Sequence, residues 1–156
     1  MADLNMPPRN TSDDVVTALG ELVLSVSWLE ETLHDAIWLL SGADNRAVQI
    51  LTAGLPFRTL IEKLGAIAVD LRTSTVPADD VIAYCKHLDA LNERRNTIIH
   101  SAWHLDADEG NHRRFKRSAK PKSGFSLNVR PIAAADIYSL AREFRDAERK
   151  LWEIVP

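Results

Sequence analysis

The chain has 156 residues, 46% of them apolar and 26% charged, which is typical of a globular protein with one core. No apolar run approaches the roughly 20 residues of a membrane-spanning helix, no secretory leader opens the chain, and the lone Cys85 excludes an internal disulfide. From the missing leader and the single cysteine we expect one cytoplasmic domain without membrane contacts. The net charge of −3 argues against a protein that coats nucleic acid through general positive charge.

The first predicted element is a long helix that follows a flexible N-terminal arm, residues 1–12. Thr11 or Ser12 can cap this helix, and the aspartate pair that starts at Asp13 suits the positive end of the helix dipole. Apolar residues then recur at alternating spacings of four and three, which predicts a helix that packs through one side. Gly42 ends the helix as a left-handed cap would.

The middle of the chain predicts three more helical pieces. Two of them are separated by the break at residues 54–56, where a glycine and a proline stand close together. The third begins near Pro77 and runs to about His100. A final helix is predicted after Pro131.

Between His100 and the final helix the apolar period changes from helical to two. Residues 103–107 and 125–129 alternate apolar and polar side chains, as half-buried strands do. The sequence therefore predicts an all-α fold, a bundle of four to five helices, with a small β-hairpin inserted before the last helix. We assign the bundle to residues 13–156.

A basic run lies on the loop side of this predicted hairpin. It carries six cations and no acidic residue: Arg113, Arg114, Lys116, Arg117, Lys120 and Lys122. Such a run is typical of a solvated loop, and it also suits contact with an RNA backbone, because cations along a phosphate path gain affinity by releasing counterions. Arg113, Arg114, Lys116 and Arg117 are the candidate RNA-binding residues.

The helix that ends near His100 has an arginine in its apolar stripe. Projected at 100° per residue, Val81, Cys85 and Leu88 define the core direction, and Arg95 falls about 40° from it. A guanidinium in a packing stripe costs several kcal/mol unless it is paired. Asn92, Asn96 and His100 occupy the adjoining arc, and Arg94 is predicted to point toward solvent.

Two kinds of partner can compensate Arg95. One is an acidic side chain of a neighbouring helix, such as Glu30 or Glu143, in which case Asn96 and His100 fill a polar seam. The other is an anionic ligand such as phosphate, which a guanidinium fork matches geometrically. His100 adds a group that can transfer protons near neutral pH.

The six residues from Arg95 to His100, Arg-Asn-Thr-Ile-Ile-His, resemble the signature of the HEPN superfamily. That signature is an arginine, a polar residue, a few mostly apolar residues and a histidine, late in a helix of an α-helical bundle. The resemblance implies metal-independent RNA cleavage, with Arg95 and His100 catalytic and Asn96 supporting; we add Asn92 as a second supporting residue. No cofactor is expected.

Cleavage through the RNA 2′-hydroxyl needs both a base and an acid, and the signature holds one histidine. A twofold homodimer that brings two signatures into one cleft would provide both groups, so we expect a homodimer with a composite site. The alternative is a catalytically inactive HEPN-like interaction module, for example one half of a toxin-antitoxin pair or the partner of a nucleotidyltransferase. A zinc site at His100 and His104 is less favoured, because no third ligand is evident.

Overall fold

A computed structural model describes residues 11–71, 76–105, 112–120 and 124–155. Within these residues it confirms the helical bundle and the β insertion before the last helix. The elements, in chain order, are α1 (Asp13–Ser41), α2 (Asn45–Thr52), α3 (Phe57–Leu71), α4 (Ala78–Ile99), β1 (Ala102–Leu105), β2 (His112–Lys120), β3 (Gly124–Ile132) and α5 (Ala134–Ile154).

Helix α1 begins and ends where the sequence predicts. Ser12 is the N-cap residue, and its carbonyl accepts the first helical bonds from Val15 and Val16, although its side chain makes no capping bond. Its own backbone N–H donates to Nε2 of the buried His112 at 3.1 Å, which attaches the start of α1 to β2. Gly42 is the C-cap with φ of 61°, a conformation that glycine adopts without a Cβ clash. The rest of the predicted N-terminal arm, residues 1–10, lies outside the described residues.

The predicted break between α2 and α3 is also present. Asp44 caps α2, since its Oδ1 accepts from the backbone N–H of Ala47 at 3.0 Å. Gly54, with φ of 72°, and Pro56 separate the two helices. Helix α3 then packs on both α1 and α4.

One continuous cluster of apolar side chains lies between α1, α3, α4 and α5. At its centre Phe144 of α5 meets Phe57 of α3 edge to face, with ring centroids 6.1 Å apart. Cys85 belongs to this core: its thiol donates to the carbonyl of Ile61, and burial raises the pKa of Cys85 to about 11. Within the described chain, none of the helices is long and apolar enough to cross a membrane.

The β insertion is an antiparallel sheet with the strand order β1-β2-β3, and its middle strand is the basic run itself. The sequence predicts this run on the loop side of a two-stranded hairpin, whereas the structure has it as the middle strand of a three-stranded sheet. A strand of long cationic side chains is tolerated because arginine and lysine lay their apolar stems on the sheet while their charged ends reach water. The predicted turn at residues 108–111 lies outside the described residues.

The two faces of β2 are directed differently. Lys116 donates to Oγ1 of Thr97 on α4 at 3.2 Å, and Arg114 lines a groove of about 370 Å³ with residues of α4 and α5. Because side chains alternate along a strand, Arg113 and Arg117 belong to the opposite face. The sheet thus has a face toward the bundle and an outward face.

Candidate functional site

The last turns of α4 leave the core, and the candidate site lies there. Val81, Leu88 and Leu91 are buried against the bundle, whereas Arg95 and Ile99 on the same stripe are only half-buried. Arg95 therefore occupies the point where the packing stripe emerges at the surface. This position lowers the cost of desolvating its guanidinium, because part of the group keeps contact with water.

Arg95, Asn96 and His100 form the polar end of the helix. Nη1 of Arg95 donates to Oδ1 of Asn96 at 2.9 Å. Asn96 lies between Arg95 and His100 around the helix axis, so this bond turns the guanidinium toward the histidine side. His100 is exposed and is the C-cap residue, with its backbone N–H bonded to the carbonyl of Asn96 at 3.1 Å.

Asn92, the other predicted supporting residue, is placed differently. It is buried in the bundle with 7% of its surface exposed, and therefore does not share the open surface of Arg95 and His100. Any effect of Asn92 on the site would pass through the packing of α4.

Arg94 faces solvent, as the helical projection predicts, and it also forms a two-pronged ion pair with Glu143 of α5. Its Nη1 and Nη2 lie 2.5 and 2.7 Å from the two carboxylate oxygens. The hydrogen bonds from Arg94 hold the pKa of Glu143 below its usual value. Glu143, one of the two acids considered as a partner for Arg95, is thus engaged by the neighbouring arginine.

Replacing Glu143 by glutamine should lower the free energy of unfolding by less than about 1 kcal/mol near neutral pH, because the pair is largely exposed. The pKa of Glu143 is lowered from its usual 4.5, so the stabilisation is present above that pH and is lost as the pH falls through the folded-state pKa. Thermal unfolding should therefore distinguish wild type from Glu143→Gln near pH 7, and the difference should shrink as the pH is lowered below 4.5. A difference that persists in acid would contradict the ion-pair origin.

Glu30 of α1, the other acid considered for Arg95, lies within electrostatic reach of it. Burial raises the pKa of Glu30, and the positive charges of Arg95 and His34 each offset part of that rise. Glu30 is half-buried, so Arg95 has an acidic neighbour in the protein and still presents a partly open guanidinium. Glu30 can therefore compensate part of the Arg95 charge, while the open part of the guanidinium can still bind an anionic ligand.

His34 is the residue near the site that the sequence analysis missed. It follows Glu30 by one turn of α1, and its Nδ1 lies 2.7 Å from Oγ1 of Thr52 on α2. The Thr52 hydroxyl donates to the carbonyl of Val48, so its oxygen accepts a hydrogen bond from His34 Nδ1–H. In the uncharged tautomer that this bond selects, the Nε2 atom is an acceptor. The spacing of Glu30 and His34 by four residues was the available signal.

An apolar strip on α1 continues from this acidic position. Val16 and Val23 are 56% and 49% exposed, and with Glu30 they follow a spacing of seven residues, which places them on one flank of the helix. We call Val16 and Val23 the α1 flank.

The four candidate RNA-binding residues do not form one surface. Arg114 and Lys116 face the bundle beside the C-terminal turns of α4, and Arg113 and Arg117 lie on the outward face. Burial lowers the pKa of Arg114, and the positive charge of Arg130, its partner across the strands, lowers it further. The basic run therefore offers positive charge both beside Thr97 of α4 and on the face away from the bundle.

No three metal-ligating side chains converge anywhere in the described ranges. His104 lies on β1, past the end of α4, so the four-residue spacing from His100 is not a helical one.

Comparisons of the chain with protein-family models, with curated proteins and with solved structures find no match.

Proposed function

We propose that the protein is a metal-independent endoribonuclease of the HEPN type. The observation that carries this proposal is the end of α4, where a half-buried arginine bonded to Asn96 and an exposed histidine emerge together from the core. The similarity of residues 95–100 to the HEPN signature adds the reaction class.

The proposed reaction is attack of an RNA 2′-oxygen on the adjacent phosphorus. The bond from the 2′-oxygen to phosphorus forms while the bond from phosphorus to the 5′-oxygen breaks. A base accepts the 2′-hydroxyl proton, and an acid gives a proton to the departing 5′-oxygen. The products are a 2′,3′-cyclic phosphate and a 5′-hydroxyl, and no oxidant or added water is consumed.

The roles follow from the chemistry of the side chains. His100 transfers protons, since it is exposed and its imidazole can accept or donate near neutral pH. Arg95 binds the phosphate, whose negative charge increases in the transition state. Asn96 holds the Arg95 guanidinium through the 2.9 Å bond.

The site requires a second proton-transferring group, and a homodimer provides it. The α1 flank lies on the same side of α1 as Glu30, the acidic neighbour of Arg95. Two copies that pair through this surface about a twofold axis would bring two His100 side chains toward one cleft. Each histidine could then serve as base or acid for one scissile phosphate.

Cleavage of a single-stranded RNA with end-group analysis tests the proposal. The products should carry a 2′,3′-cyclic phosphate and a 5′-hydroxyl, and EDTA should not reduce the rate. Products with a 5′-phosphate, or inhibition by EDTA that Mg²⁺ reverses, would contradict the mechanism. Binding without cleavage across varied RNAs would replace it with an inactive interaction module, the kind found with an antitoxin or a nucleotidyltransferase.

A further inference from the structure

The hairpin of β2 and β3 concentrates the positive charge of the chain. Residues 112–132 contain seven of the 19 basic residues and none of the 22 acidic ones. The remainder therefore has 12 basic and 22 acidic residues, a net charge of −10. An anionic polymer is repelled by most of this protein and attracted by the hairpin, so the hairpin determines where such a polymer binds.

The outward face of the hairpin also carries exposed apolar side chains. Phe125, Leu127 and Val129 alternate along β3 and are 68%, 50% and 42% exposed. Across the strands, Leu127 is opposite Arg117 and Val129 is opposite Phe115. Aromatic, aliphatic and guanidinium groups therefore share one surface on the side of the sheet away from the bundle.

We propose that this outward face binds single-stranded RNA. Bases stack on the exposed ring of Phe125 and rest against Leu127 and Val129, and the backbone phosphates approach Arg117. Stacking on aromatic rings beside cations is a general way to hold unpaired nucleotides, because every base has a π-face. The inference names the form of RNA that the proposed nuclease acts on, although binding does not itself require cleavage.

A single strand fits this surface better than a duplex does. Bases inside a duplex are stacked on each other and cannot be laid on a flat sheet, whereas unpaired bases can be splayed out. A second copy of the same hairpin is disfavoured as occupant, because each hairpin carries seven cations and no acidic residue, so two hairpins repel each other. Of these cations, Arg113 and Arg117 lie on the outward face itself.

The position of the hairpin connects binding to the candidate site. Its inward face is fixed to α4 by the bond between Lys116 and Thr97, three residues before His100. Strand β1, which pairs with β2, begins two residues after His100. The hairpin, with any RNA on its outward face, is therefore attached beside the end of α4, and the sheet separates that RNA from Thr97.

Binding is best measured with the His100→Ala variant, so that cleavage does not interfere. The probe is a fluorescein-labelled oligoadenylate of about 12 nucleotides, within the site sizes of single-strand binding folds. Its duplex with oligouridylate is the comparison. We expect tighter binding of the single strand, and a loss of about tenfold in affinity on adding Phe125→Ala, the size that stacking of a base contributes. Phe125→Trp should retain binding.

Two further variants separate stacking from charge and from general effects. Arg117→Ala should weaken binding and reduce the dependence of affinity on salt concentration, whereas Phe125→Ala should leave that dependence unchanged. Trp152→Ala removes another exposed aromatic ring, 43% exposed, from α5, which lies outside the proposed RNA surface, and should leave RNA affinity unchanged. Circular dichroism and thermal unfolding check that each variant is folded.

Three results would overturn the proposal: unchanged affinity in Phe125→Ala, equal binding of single strand and duplex, or a change of oligomeric state in Phe125→Ala with no change in RNA affinity. The last would assign the face to a second copy of the chain. This test is separate from the test of the nuclease proposal. If the wild-type protein binds RNA through Phe125 but does not cleave it, the binding inference holds and the nuclease proposal fails. If the protein cleaves RNA and Phe125→Ala does not change RNA affinity, the nuclease proposal holds and only the binding inference fails.

Discussion

Replacing His100 by alanine should reduce RNA cleavage by about a thousandfold, within the contribution that a positioned acid or base makes to a rate. The side chain is exposed at the end of α4, and the capping bond of residue 100 uses its backbone N–H, which alanine retains. Thermal unfolding and RNA affinity should therefore stay near those of wild type. Initial rates on a single-stranded RNA, measured with enzyme in excess, give the comparison.

His87→Ala is the matched control, because His87 is an exposed histidine of α4 that lies 13 residues before His100. It should cleave at the wild-type rate. An active His100→Ala enzyme would contradict the proposed mechanism. An equal loss of cleavage in both variants would indicate that substitutions in this region damage the fold. The unfolding temperatures of the two variants would then be lowered as well.

The α-helical part of the fold could be predicted because its signals are local. The caps at Ser12 and Gly42, the aspartate cap of α2 and the break before Pro56 each depend on a few neighbouring residues. The apolar stripe of α4 similarly predicted which side faces the core. Such features need no knowledge of what packs against them.

The β insertion was predicted only in part, and the reason is tertiary. Residues 112–120 are a mixture of basic, aromatic and small side chains, without the alternating apolar residues of a half-buried strand. Pairing with β3 along the whole strand, and with β1 over residues 112–115, satisfies backbone groups of β2, and this pairing is not visible in the segment itself.

The partners of the site residues could not be read from the sequence either. The wheel placed Arg94 toward solvent, and only the packing of α5 brings Glu143 within reach of it. The wheel likewise put Arg95 in the core, whereas Arg95 is only half-buried even though Ile98 on the same turn is still packed against the bundle. A helical projection shows in which direction each side chain points around the axis. It does not show how far along the helix the neighbouring helices extend.

Placing a glutamate on the α1 flank with Val23→Glu should convert the expected dimer to a monomer and reduce cleavage accordingly. Val23 is 49% exposed, so the charge is solvated in a folded monomer and the bundle should keep its stability. In a twofold interface the same change brings two desolvated carboxylates close together, which costs several kcal/mol without partners. Sedimentation at micromolar concentration measures the state, and cleavage is assayed at the same concentration.

Leu24→Glu provides the matched control for the α1 flank. Leu24 is the next residue, is 50% exposed, and lies about 100° around the helix from Val23. The same charge at nearly the same exposure should leave the dimer and its activity intact. If Leu24→Glu dissociates the dimer and Val23→Glu does not, the interface uses the other flank of α1. A Val23→Glu monomer that cleaves RNA at the wild-type rate would show that one protomer holds the whole site, and His34, with its Nε2 available as an acceptor, would become the first candidate for the second proton-transferring group.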